Sequence, residues 1–189
     1  MHPLHQTINS LAHLSDQHFE QLLAKTTASV HPAHSEVLRS GQFCRGVYYV
    51  TRGLLGVYRL VDGREAYQEF GREGYFVTDM VGLTTQRAAI VTIKALEETE
   101  TLFIPRNDLL DMYALSERFQ TFGRLLLESL VARTTERATQ LATLTAPERY
   151  TLLLEREPEL LARVPLQYLS SYLGMTRETL SRVRRRKKK

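Results

Sequence analysis

Hydrophobic positions along the chain change their spacing twice, and each change marks a change of architecture. Near the N-terminus Leu11, Leu14, Phe19, Leu22 and Leu23 recur every three or four residues. That period predicts helix over about residues 6–26, with Ser15 placed to cap a helix starting near Asp16. From about Val37 to Ile104 the pattern shortens to brief runs of Val, Tyr, Phe and Ile. These are cut by Ser40-Gly41, Arg52-Gly53, Asp62-Gly63, Gly71 and Gly74. Residues 47–50, 54–60, 66–70, 90–95 and 101–104 read as strands. Asp62-Gly63 between two such runs is a hairpin signal, because both turn residues must take positive φ. Many short strands without intervening long helices predict an antiparallel jelly-roll barrel.

After Pro105 the helical period returns. Asn107 is placed to open a short helix, and residues 116–145 form one long helical pattern. Phe119, Phe122, Leu126 and Leu130 lie on one stripe, with further apolar positions at Leu125, Val131, Ala138, Leu141 and Leu144. A helix of roughly 28 residues is about 40 Å long, more than a small barrel covers. The surplus apolar face predicts a second copy of the chain, with Phe119, Phe122, Leu126 and Leu130 at the dimer interface. The alternative is a helix packed wholly on its own barrel.

Ala146-Pro147-Glu148 breaks this pattern, and residues 149–157 read as a helix with Tyr150, Leu153 and Leu154 inward. The sharpest local pattern follows. Pro165 suits a helix start, and Leu166, Leu169 and Leu173 share a face, with the small Ser170 where two helices cross. Gly174 supplies a left-handed helix end, Met175 plugs the turn, and Thr176 caps the next helix. In that helix Leu180 and Val183 point inward, while Arg177, Glu178, Ser181 and Arg182 share the outer face. This is the pattern of a helix-turn-helix whose second helix enters the major groove. Arginine pairs with guanine O6 and N7, and glutamate accepts from cytosine N4. Arg177, Glu178, Ser181 and Arg182 are therefore the candidate base readers. Thr176, Arg184, Arg185, Arg186 and Lys187 are the candidate phosphate contacts. The alternative is an ordinary helical hairpin with a charged outer face.

Charge supports a polyanionic partner for that segment. The 189 residues carry a formal charge of only +4, yet residues 147–189 hold 11 of the 25 basic and 5 of the 21 acidic side chains. The last segment is thus at +6 and the rest at −2, and the basic residues crowd into 182–189. Other chemistry is thin. The single cysteine, Cys44, excludes an internal disulfide and cysteine-ligated zinc or iron–sulfur sites. All six histidines, His2, His5, His13, His18, His31 and His34, precede residue 35 and lack metal-ligand spacing. No metal site, cofactor or catalytic residue is expected. No phosphate-binding loop, nucleophile elbow or zinc-hydrolase helix occurs in the sequence. No run of about 18 apolar residues exists. Without a secretory signal pattern, a cytoplasmic protein with no membrane partner is expected.

Read after the β-rich segment and the long helix, Gly174-Met-Thr-Arg-Glu-Thr-Leu-Ser-Arg182 resembles the recognition-helix pattern of the Crp/Fnr superfamily of bacterial transcription regulators. Regulators of that superfamily dock on DNA through a helix-turn-helix. The resemblance spans essentially the whole chain. It implies an α+β architecture: an N-terminal double-stranded β-helix of cyclic-nucleotide-binding type, a long dimerisation helix and a small C-terminal helix-turn-helix. It also implies double-stranded DNA with a near-palindromic operator, a homodimer and RNA polymerase as partners.

Two departures modify that expectation. The family's β-hairpin wing has no sequence to form it before Lys189, so the basic tail is expected to take over its phosphate contacts. The second departure lies in the effector pocket. Aligning on Gly74 and Lys94-Ala95 places the Gly-Glu pair of cAMP binders on Thr78-Asp79 and their Arg-Ser pair on Ala89-Ile90. Alanine and isoleucine offer no guanidinium to a cyclic phosphate, and Arg87 lies two residues away. Thr78, Asp79, Arg87, Ala89 and Ile90 thus mark a degenerate effector pocket. The expectation is no cAMP binding, with another small-molecule effector or none.

The sequence therefore predicts a sensor domain over 1–115, a dimerisation helix over 116–145 and a helix-turn-helix domain over 146–189, lacking a wing. Together these make a homodimeric transcription regulator and not an enzyme. Two other readings compete. A signalling module that binds a small molecule without sequence-specific DNA binding predicts no base preference. A barrel enzyme using the histidines with a metal predicts stoichiometric metal.

Overall fold

Ser15 splits the N-terminal helical stretch in two. In the computed structural model, which describes residues 2–187, α1 (Pro3–Leu11) ends at Ala12 in extended backbone, and α2 (Asp16–Ala24) starts one residue after Ser15. The Ser15 hydroxyl accepts the His18 N–H at 3.3 Å, an N-cap, and the Asn9 side chain accepts the Leu14 N–H at 3.2 Å across the break. Ser15 thus caps a helix at Asp16 as expected, and the helical stretch is divided in two. Leu4, Ile8, Phe19 and Leu22 bury the inward faces of both, and Thr7 bonds the Tyr49 phenol at 2.8 Å.

Among the described residues eight strands follow: β1 (Thr27–His31), β2 (Glu36–Leu38), β3 (Gly46–Arg52), β4 (Leu55–Val61), β5 (Arg64–Gly71), β6 (Phe76–Val77), β7 (Thr92–Ala95) and β8 (Thr99–Pro105). They form two four-stranded sheets, ordered β1-β8-β3-β6 and β2-β7-β4-β5. The pairs with a defined register are antiparallel, among them Tyr49 opposite Leu102 and Tyr48 opposite Val77. This is the expected β-roll. The sequence pattern does not reveal β1, β2 and β6. β1 is an edge strand whose residues are exposed or half-buried, so it has no apolar alternation to read. β6 has two residues and β2 three, too few to show a period.

The hairpin between β4 and β5 turns on Asp62 (φ 51°) and Gly63 (φ 73°), the two positive-φ residues of a type I′ turn. A short helix, α3 (Met80–Thr85), interrupts the strands. Then come α4 (Arg106–Leu115) and the long α5 (Glu117–Thr143), 27 residues and about 40 Å of helix.

The chain divides into two compact units. Met1–Val57 and Phe70–Ser129 make one; Tyr58–Glu69, the tip of the β4–β5 hairpin, joins Leu130–Lys189 in the other. The core of the first unit runs from Leu4, Ile8 and Leu22 through Val50, Leu55 and Ile93 to Phe119 and Phe122 at the start of α5. Each such aliphatic or aromatic side chain contributes about 1.5–3 kcal/mol on burial. Phe119 and Phe122 are each only 1% exposed, and Phe122 lies 6.0 Å from the Phe76 ring. Leu126 packs against the same core, so the predicted interface stripe is corrected. Phe119 and Phe122 fill the chain's own interior and are closed to a second copy, while Leu130 is half-buried. The outward apolar residues of α5 are Leu127 (46% exposed) and Val131 (64%), joined by Leu141.

The second unit holds α6 (Ala146–Arg156), α7 (Pro158–Arg163), α8 (Leu166–Tyr172) and α9 (Arg177–Lys187). Its interior is built from Tyr150, Leu153, Leu160, Leu169, Leu173, Leu180 and Val183. No described helix is long and apolar enough to cross a membrane.

Candidate nucleic-acid interface

Thr145 is the N-cap of helix α6. The Glu148 carboxylate reaches back to accept both the N–H and the hydroxyl of Thr145 at 2.7 Å, and these bonds hold its carboxyl below the ordinary range. One residue on, Arg149 gathers three carbonyls. Its Nε donates to Leu173 O at 2.7 Å, its Nη2 to Gly174 O at 3.2 Å, and its Nη1 to Leu144 O just after α5. One guanidinium thus ties the end of α5 to the turn that follows α8. Nothing in the sequence singles out Arg149, because an arginine on an exposed-looking helix carries no sign of what it will hold.

That turn is a Schellman motif. The Met175 N–H bonds to Ser170 O and the Gly174 N–H to Ser171 O, both at 3.0 Å, with Gly174 at φ +61°. A Cβ at Gly174 would also stand 2.9 Å from Leu141 Cδ2. Thr176 then caps α9 as expected, its hydroxyl accepting the Thr179 N–H at 3.2 Å.

Leu180 and Val183 bury the inner face of α9. On its outer face Arg177, Glu178 and Arg182 are exposed, Ser181 and Arg184 are half-exposed, and Arg185 and Arg186 are exposed. Thr176 is exposed as well. The side chains of Lys187, Lys188 and Lys189 lie outside the described residues, so the expected contact at Lys187 is not placed. The Glu178 carboxyl is held below its ordinary range, first by a backbone N–H bond, then by the Thr176 hydroxyl and by Arg177 and Arg182. It is therefore an ionised acceptor beside two fixed cations at neutral pH. From residue 177 to residue 186 the helix rises about 14 Å, comparable with the roughly 12 Å width of the major groove.

Of the residues expected in the effector pocket, Asp79 and Ile90 are brought into contact in the first unit, with Ala89 beside them. Asp79 is buried, and its Oδ2 accepts the Ile90 N–H at 3.3 Å. Gly82 lets that carboxylate approach, since a Cβ there would lie 2.5 Å from Asp79 Oδ2. The Ala89 N–H donates to Gln42 O at 2.7 Å, and Ala89 O accepts the Gly41 N–H at 2.8 Å. Thr78 turns elsewhere, its hydroxyl bonded to Gly46 O at 2.9 Å and lying 3.2 Å from the buried Cys44 Sγ. Arg87 is exposed. The backbone donors of Ala89 and Ile90 are thus occupied by the chain itself, the latter by the Asp79 side chain.

Residues 29–116 match the cyclic nucleotide-binding domain family. Several solved structures resemble the chain over most of its length. The global regulator CLP of Xanthomonas campestris, described as c-di-GMP responsive, aligns at 26% identity over 92% of each chain, with a TM-score of 0.73. FixK2 of Bradyrhizobium japonicum aligns at 23% identity over 85% of this chain and 83% of its own, with a TM-score of 0.73. The catabolite activator protein of Thermus thermophilus aligns at 21% identity over 97% of this chain and 85% of its own, with a TM-score of 0.60. These neighbours are Crp/Fnr-family regulators, as the sequence resemblance implied. No curated protein matches the sequence. The β-roll of the cyclic nucleotide-binding domain and the long helix α5 are the features the family match and these likenesses support.

Proposed function

We propose that the chain is a homodimeric, sequence-specific DNA-binding transcription regulator of the Crp/Fnr type that does not respond to cAMP. The observation that carries this reading is α9. It is anchored from behind by Leu180 and Val183, set at a defined angle by the Gly174 turn, and presents Arg177, Glu178 and Arg182 together on its free face. Helix α8, the turn and α9 then act as a helix-turn-helix. Arg177, Glu178, Ser181 and Arg182 read bases, and Thr176 and Arg184–Arg186 hold phosphates. The sensor spans about 1–115, the dimerisation helix 116–145 and the DNA-binding part 146–189.

The dimer forms along α5. Leu127, Val131, Thr134, Ala138 and Leu141 repeat at alternating spacings of four and three, a heptad seam on which Leu127, Val131 and Leu141 are exposed apolar side chains. A two-fold dimer favours a near-palindrome, with half-sites about 34 Å apart. The lack of a cAMP response follows from the Asp79 carboxylate. A cyclic phosphate entering beside Ala89 and Ile90 meets the buried Asp79 side chain and N–H groups already bonded within the chain, at two positions whose own side chains offer no guanidinium.

Selection of bound fragments from a random DNA pool by the purified full-length protein tests the first part. A short two-fold-symmetric motif is expected; binding without an enriched motif would refute the reading. Calorimetric titration with cAMP tests the second, where no heat of binding is expected and saturable binding would overturn the role given to Asp79.

A further inference from the structure

Helix α8 has a second face. Leu169, Ser170 and Leu173 point into the core of the second unit, while Tyr168, Ser171 and Tyr172 lie toward its other side, Ser171 and Tyr172 half-buried. Strand β5 is the edge of its sheet, so one row of its backbone groups faces away from β4. Alternate residues of a strand share a side, and Glu65 and Tyr67 share this one. Ser171 meets both. Its hydroxyl donates to Glu65 O at 3.0 Å, and its oxygen accepts the Tyr67 N–H at 2.8 Å.

A residue of an added parallel strand bonds in the same pattern: it gives its own N–H to the carbonyl of residue i and takes the N–H of residue i+2. A single serine hydroxyl here stands in for that strand residue, in a one-residue version of strand addition. Neighbouring contacts reinforce it. The Tyr67 ring lies near those of Tyr58 and Tyr168, with centroids 5.2 Å and 4.5 Å away, and Arg133 of α5 pairs with Glu69 at 3.2 Å.

We propose that the tip of the β4–β5 hairpin is a docking strand that fixes the orientation of the α8–α9 pair, and that the docked arrangement is the DNA-binding state. The sign follows from exposure. With Ser171 docked, Arg177, Glu178 and Arg182 are all exposed on α9, so docking does not mask the reading face. Leu169 and Leu173 of α8 share one core with Leu180 and Val183 of α9, so fixing α8 fixes α9. An undocked pair must be ordered when DNA binds, which weakens binding without altering which bases are read. This inference rests on α9 being the reading helix.

The test is Ser171→Ala in the full-length protein, followed by amide exchange at Tyr67 and by affinity for the selected DNA site. Exchange of the Tyr67 amide is expected to rise about tenfold or more, because its acceptor is gone. DNA affinity is expected to fall about fivefold to tenfold with the selected motif unchanged. Tyr168→Leu, which removes the ring pair and keeps bulk, should act in the same direction. Unchanged exchange at Tyr67 would overturn the docking strand. Faster exchange with equal or tighter DNA binding would overturn the assignment of the docked arrangement as the DNA-binding state. A wild-type protein that selects no motif removes the reading of α9 and this assignment with it, and exchange at Tyr67 alone then decides the docking.

Discussion

Replacing Arg149 by alanine removes a side chain that joins three carbonyls around the turn before α9. Two of its bonds, to Leu173 O and Leu144 O, are partly buried, and the third, to Gly174 O, is exposed. A net hydrogen bond contributes about 0.5–1.5 kcal/mol. Two partly buried bonds and an exposed one of little weight therefore amount to about 2 kcal/mol. At about 4–8 °C per kcal/mol for a domain of this size, the unfolding transition of the second unit should fall by roughly 8–16 °C. Scanning calorimetry and urea unfolding of the full-length variant measure it, with amide exchange in α9 reporting where stability is lost. Arg149→Lys should recover less than half, because one ammonium does not serve three separated carbonyls. A loss below about 0.5 kcal/mol, within the range of ordinary surface substitutions, would refute the role assigned to Arg149.

Gly174→Ala places a Cβ at φ +61° and close to Leu141, so chemical unfolding should show a loss of about 1–2 kcal/mol or more. Combined substitution of Arg184, Arg185 and Arg186 by glutamine should lower the slope of log affinity against log salt by about 3 at any DNA sequence, as anisotropy titrations at several salt concentrations will show. Burial lowers the pKa of His31, whose ring nitrogen lies 2.9 Å from the Thr101 hydroxyl. The unfolded chain then takes up the proton first, so stability contributed by neutral His31 is present above about pH 6.5 and is lost as pH falls below that value. His31→Gln should flatten this part of the stability–pH curve, and an unchanged curve would mean that another group titrates there.

Much of this arrangement is legible in the sequence, and particular residues show why. Asp62-Gly63 and Gly174 announce positive φ by their chemistry, and Ser15 and Thr176 announce helix starts, so turns and caps can be read where local rules apply. The long helical period of α5 is legible as well, but its partner is not. Phe119 and Phe122 lie on the same apolar stripe whether they face their own β-roll or a second copy, and only the folded chain places them inside. Spacing singles out Asp79 and Ile90, but the bond that joins them depends on Gly82 leaving room for the carboxylate. Arg149 and Ser171 give no signal at all. Both act through backbone carbonyls and N–H groups far along the chain, and no side-chain pattern encodes those partners.

Arg182 is proposed to read a base. The most direct test is a double-substitution cycle on the selected DNA site, in which 7-deazaguanine replaces each guanine in turn and is measured against wild type and Arg182→Ala. A bidentate arginine–guanine pair contributes about 1–3 kcal/mol of discrimination. One guanine per half-site is predicted to weaken wild-type binding by that amount when replaced, and to leave the Arg182→Ala variant unaffected. Strictly additive losses at every guanine would contradict the claim.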